Sequence, residues 1–190
     1  MNGNMVKVDF NVNFSGFQKS EDILVDTGVL LALLNEYDSW HETVSNLFEN
    51  FVFNNDDTLF LYINPCIQNE LTNLISNGKP LEWYGIKHPD FSITKDEIDV
   101  IERNSIDALQ KLIDNDILII LDSNKESSLQ QLKLYKELGA ADAINATLAN
   151  VYGISFLTVD NKLVNNMIDN ADKLEDIQNL YYTTPVHKTY

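Results

Sequence analysis

Four carboxylates fall where an α/β chain places its chemistry. Asp26 ends the apolar run Ile23-Leu24-Val25, and Asp160 stands just past Ile154–Leu157 and the pair Thr158-Val159. Glu70 lies three residues after Ile67 and four before Leu74, so a helix would put it on their apolar face. Asp142 opens a helical stretch directly after Gly139, with the small residues Asn145, Ala146 and Ala149 following. Each acid alone has an ordinary explanation. Asp26 and Asp160 suit helix N-caps, Asp142 suits the positive end of a helix dipole, and Glu70 can pair with a neighbouring helix. Together they predict something more. Four acids on one rim repel unless a cation neutralises them, and hard divalent ions take oxygen ligands of this kind.

The chemistry such a nest performs is hydrolysis. A divalent ion lowers the pKa of a coordinated water towards neutrality, and one ion, or two roughly 3.5–4 Å apart, steadies the leaving oxygen of a phosphodiester. No nucleophilic side chain is required, and no convincing Ser-His-Asp or Cys-His arrangement is present. His41 sits beside Trp40 in a capping segment, His88 precedes Pro89, and His187 is in the tail. Neither His88 nor His187 is close to a predicted strand end, and packing or capping suits His41 better than catalysis. A lone Cys66 excludes an internal disulfide and a cysteine-based zinc site.

The elements that must position these acids read as strands alternating with helices, which implies parallel βαβ units. Val6 to Phe14 alternates with a period of two and predicts a half-buried edge strand. Buried strands are expected at 23–25, 58–63, 116–121 and 154–157, with a last strand at 180–182. Helices are expected after Asp26, after a Ser39–Glu42 capping box, after Asn64-Pro65, after a Thr94–Glu97 capping box, and over 128–138, 140–152 and 161–168. Gly78, Pro80, Gly85 and Pro89 punctuate 77–91, where Trp83, Tyr84 and Phe91 are interspersed. One domain over residues 1–190 follows, with a core of about 21–170 and an inserted loop or helix at about 77–95.

Composition sets limits. Thirteen Lys and Arg against 29 Asp and Glu give a formal net charge of −16, with Arg103 the only arginine. That opposes the basic footprint of tight, non-specific nucleic-acid binding, so a polyanion must be held locally through metal ions and a few lysines. The first ten residues have no apolar signal core, and the longest apolar runs fall far short of the roughly 20 residues that span a bilayer. A soluble, cytoplasmic protein is expected.

The segments Val25-Asp26-Thr27-Gly28-Val29-Leu30, Asn69-Glu70-Leu71, Ala141-Asp142-Ala143-Ile144 and Leu157-Thr158-Val159-Asp160 resemble, in order, the acidic motifs of PIN domains. These are best known as the toxin half of VapBC toxin–antitoxin pairs. The resemblance implies a three-layer α/β domain around a central, mainly parallel sheet, with the N-terminal strand and the 77–95 insertion as additions. It also implies a metal-dependent endoribonuclease, with Mg²⁺ or Mn²⁺ held by Asp26, Glu70, Asp142 and Asp160. Products would carry 5′-phosphate and 3′-hydroxyl ends. Thr158 matches a hydroxyl residue that would orient a metal-bound water, and Thr27 is a weaker match of the same kind. Threonine also simply suits strand ends. A small antitoxin and a homodimer are the partners the resemblance suggests. The rival expectation is a catalytically weak or inactive PIN-like scaffold working through protein contacts at Trp83, Tyr84 and Phe91. A dehalogenase-type phosphatase would need an Asp where Gly28 stands, and a receiver domain would need an acidic pair at Asp26.

Overall fold

The computed structural model describes residues 5–54 and 59–184. Six strands form one sheet in the order β1-β6-β5-β2-β3-β4, and every pairing is parallel. The strands are β1 (Val6–Asp9), β2 (Asp22–Val25), β3 (Phe60–Ile63), β4 (Leu118–Ile120), β5 (Ser155–Leu157) and β6 (Asn179–Tyr182). The helices are α1 (Thr27–Leu34), α2 (His41–Phe48), α3 (Pro65–Ser76), α4 (Lys79–Lys87), α5 (Lys95–Asp114), α6 (Lys125–Leu138), α7 (Ala140–Tyr152) and α8 (Asn161–Asp169). This sheet flanked by helices is consistent with the expected PIN-like layered domain.

The central strands are apolar on both faces because both are covered. Ile23, Leu24, Val25, Leu61, Ile63, Phe156, Leu157 and Leu180 are all essentially inaccessible. Helix α7 packs against β2 and β5, α8 against β6, and α1 against α2, α3 and α5. The small side chains Ala143, Ala146 and Ala149 are fully buried on α7, which lets that helix sit close to the strands. Among the described residues, no helix is long and apolar enough to cross a membrane.

Several local expectations change. The N-terminal strand stops at Asp9, whose Oδ1 accepts from Asn11 N (3.0 Å) in a turn that leads to Asn13 at φ +53°. Alternation continues to Phe14, but as packing: Phe10 is buried and Phe14 stacks edge-on against Phe17 and Phe51. The N-cap of α2 is Trp40 rather than Ser39, and its N–H is taken by Asp38 Oδ1 (2.7 Å). Residues 79–87 are helical. Pro80 falls in the first turn, where a missing N–H costs nothing, so the apparent punctuation does not break the helix. Strand β4 is an edge strand with Ile120 exposed, rather than fully buried. Asn124 caps α6, which begins at Lys125, three residues ahead of the expected start. Thr58, the expected start of a strand, and His187 lie outside the described residues.

At the end of β2 opposite Asp26 sits a carboxylate the sequence did not single out. Glu21 is buried, and its oxygens accept from Ser155 Oγ, Asn179 Nδ2 (2.7 Å), Tyr181 OH (2.8 and 3.0 Å) and Gln18 N (2.8 Å). It ties β2, β5 and β6 together through donors rather than through a cation. Glu21→Ala leaves those donors unsatisfied in the interior and is expected to cost about 3 kcal/mol or more in urea unfolding. A loss under about 1 kcal/mol would show that these bonds contribute little.

Candidate metal centre

The strand order reverses between β2 and β5. From β2 the chain builds outward through β3 and β4, and on the other side β5 is followed by β6. Ligands of open α/β sheets bind at such a switch point, beyond the strand C-termini. Asp26 leaves β2 there, and Asp160 follows β5. The two strand ends are joined where Asp26 N donates to Leu157 O (3.0 Å). Gly28 lets α1 start close to this junction, since a Cβ at that position would lie 3.2 Å from the Val159 methyl, tighter than ordinary contact.

Both acids are helix N-caps, so the ordinary explanation for each is correct as far as it goes. Asp26 Oδ1 accepts from Thr27 N (2.9 Å) at the head of α1. Asp160 Oδ1 accepts from Lys162 N (2.7 Å) and Leu163 N (3.1 Å) at the head of α8. Capping uses one oxygen of each. Thr158, fully buried, donates its hydroxyl proton to Asp26 Oδ2 (2.7 Å) and accepts from Asp160 N (3.0 Å). Its hydroxyl is therefore engaged in clamping the two acids and does not present its proton to a water. Thr27 plays a parallel part, donating Oγ1 to Glu70 Oε2 (2.8 Å).

Glu70 corrects the expectation in one respect. It is exposed, not set on the apolar face with Ile67, so burial gives no reason for its presence. Its bond to Thr27 is what brings α3 to the rim. Asp142, in the first turn of α7, is half-buried and accepts no hydrogen bond among the described residues.

Electrostatics join the four. Burial pushes the Asp26 carboxyl up to about 7, against relief from Thr158 and with further elevation from Asp142 and Glu70. Burial also lifts Asp142 to about 6, with Asp160 and Glu70 raising it further and Lys162 alone lowering it. Each acid thus feels at least one other, and among the described residues Lys162 is the one cation that offsets Asp142. Among the described residues no group of three or more acid, histidine or cysteine side chains is drawn together tightly enough to hold an ion as it stands. The donor chemistry nevertheless fits a hard divalent cation. All candidate ligands are carboxylate oxygens, several carry no protein hydrogen bond, and magnesium-like ions keep waters that fill out a loose shell.

The two described histidines, His41 and His88, lie elsewhere. His41 Nδ1 donates to Ala32 O (2.8 Å), and the His88 ring stacks on Tyr84 (4.1 Å). Both line a cavity of about 290 Å³ between the α1–α2 turn and α4, with Tyr37, Trp83, Tyr84 and Pro80. Sequence reasoning did not single out Lys162 or see that Asn145 is bonded. Cation placement beside one acid depends on two helices meeting, for which the chain has no local signal.

No protein-family model matches the chain, and no curated protein matches it. Among solved structures it is similar to VapBC2 from Rickettsia felis bound to a promoter DNA fragment (14% identity, 84% of this chain, 98% of that chain, TM-score 0.47). It is also similar to FitAB bound to an IR36 DNA fragment (13%, 84% and 94%, TM-score 0.49) and to FitAcB from Neisseria gonorrhoeae (14%, 83% and 96%, TM-score 0.49).

The raised carboxyls set a pH dependence. A folded-state pKa above the unfolded value favours the protonated form, so this contribution to stability is complete below about pH 4. It is lost as pH rises through about 6 to 7. For Asp26 alone the loss is on the order of a few kcal/mol. Thermal unfolding in EDTA is expected to show the melting temperature falling from pH 5 to pH 8, and Asp26→Asn to flatten that slope. A melting temperature that rises across this window in the unmodified protein would contradict the assignment.

Proposed function

We propose that this chain is a divalent-metal-dependent endoribonuclease, with Mg²⁺ or Mn²⁺ held by Asp26, Glu70, Asp142 and Asp160. The observation that supports this reading is the linkage of Asp26, Asp160 and Glu70 at the β2/β5 switch point through the Asp26–Leu157 backbone bond and the Thr158 and Thr27 hydroxyls. A bound cation there would supply water activation and charge neutralisation at a phosphodiester. The chain's own residues prepare the place. Thr158 turns Asp26 Oδ2 and holds the Asp160 backbone, while Thr27 turns Glu70 towards α1. Lys162 and the first turn of α8 put positive charge beside the acids, where a phosphate oxygen would lie.

The ordered motifs that resemble PIN domains point to RNA as the substrate and to 5′-phosphate and 3′-hydroxyl products. They also support the finer reading of a cytoplasmic toxin restrained by a small antitoxin, with homodimers as the working form. A net charge of −16 makes a basic partner electrostatically apt. It also makes cleavage dependent on local contacts rather than on a broad basic surface.

A second reading has one observation in its favour. The cavity beside α4 is walled by Tyr37, Tyr84 and the exposed Trp83, and aromatic anchors of this kind serve protein contacts. On that reading the chain is a scaffold, and it would bind a partner with no metal-dependent cleavage.

Purified protein is expected to cleave single-stranded RNA with Mg²⁺ or Mn²⁺ and to stop when EDTA is added. Asp26→Asn and Asp142→Asn are each expected to lower the rate at least about a hundredfold, since even second-shell losses at metal sites reach that size. Circular dichroism should remain native. Full activity in both variants would dispose of the mechanism, and partner binding without any cleavage would favour the scaffold.

A further inference from the structure

Asn64 and Asn145 form a buried amide pair between the two helices that carry Glu70 and Asp142. Asn64 ends β3 and caps α3, six residues ahead of Glu70. Asn145 lies on α7, three residues or nearly one turn beyond Asp142. Asn64 is wholly buried and Asn145 is 2% exposed. Asn64 Oδ1 accepts from Cys66 N (2.9 Å) and Ile67 N (3.0 Å). With the oxygen spent on the cap, the orientation of the amide is fixed, and its nitrogen donates to Asn145 Oδ1 (2.8 Å). Among the described residues this is the side-chain hydrogen bond that joins α3 to α7.

Neither amide is needed for secondary structure. A serine caps a helix as well as an asparagine does, and alanine at 145 would continue the run of small residues at 143, 146 and 149. Burying two amides is costly unless they bond to each other. Glu70 on α3 is one of the charges that act unfavourably on the Asp142 carboxylate on α7. Glu70 is tied to α1 through Thr27, but Asp142 has no hydrogen bond among the described residues and depends on the placement of α7. We infer that the Asn64–Asn145 bond is a positioning link, holding α7 against α3 so that Asp142 and Glu70 reach one cation despite their repulsion. The inference rests on the metal-centre reading above, and it assigns positioning roles to two residues that touch neither ion nor substrate.

Mn²⁺ affinity of the full chain by calorimetry, well below the melting temperature, tests the link. Asn64→Ser keeps the cap and removes the amide donor, while Asn145→Ala removes the acceptor and leaves the cap intact. Each is expected to weaken Mn²⁺ binding about tenfold or more, with native circular dichroism. The double variant is expected to be no weaker than the weaker single one, because both remove the same bond. Unchanged Mn²⁺ affinity in either folded variant, or losses that add, overturns the link, even if the melting temperature falls. Should Asn145→Ala fail to fold, Asn64→Ser decides. An unmodified chain that binds Mn²⁺ but cleaves no RNA removes the nuclease reading and leaves the link to stand on affinity. One that binds no Mn²⁺ removes both.

Discussion

Like charges crowded at one end of a sheet are the constraint around which this molecule is organised. Asp26 is almost fully buried, Asp142 is half-buried, and their neighbours are further acids. Left to themselves, these groups would move apart or keep their protons. Covered strands, a strand-to-strand hydrogen bond at Asp26, two threonine clamps and a buried amide pair oppose that movement. The stability lost to this arrangement is drawn from an extensive core running from Phe10 through Tyr181. Such local conflict between folding and charge is what functional sites commonly look like.

Strand β2 makes the contrast plain, because it begins next to one carboxylate and ends at another. Glu21 is surrounded by donors, which satisfy its charge without a counter-ion. Asp26 has one backbone donor and one hydroxyl, and beyond them only acids and apolar surface. The same residue class is thus a donor-satisfied structural knot at one end and a carboxyl with its pKa raised by burial at the other. Environment alone separates the two roles.

Much of this was legible in the residues. Alternating apolar runs and helical spacings revealed the order of elements, and strand ends located Asp26 and Asp160 on a common rim. The caps at Asn64 and Thr94 were visible because capping is a local rule. What the residues did not reveal was non-local. Glu70 was placed on an apolar face by periodicity, yet it is exposed and held by Thr27, 43 residues away. Helix α4 was obscured by Pro80 and Gly85, since proline in a first turn and a helical glycine look like loop signals. Glu21 gathers its donors from residues 18 to 181 and had no local mark at all.

The parallel topology also governs when the acids can meet as the chain is made. Strand β6 lies between β5 and β1, so among the described residues the most N-terminal strand pairs with the most C-terminal, Val6 opposite Asn179. Asp160 emerges long after Asp26, and its strand docks on β2 only then. A nascent chain of 150 residues would carry three of the four acids with no fourth and no β5 to hold Asp26. The four carboxylates therefore cannot share one rim until β5 and Asp160 have been made and β5 has docked on β2.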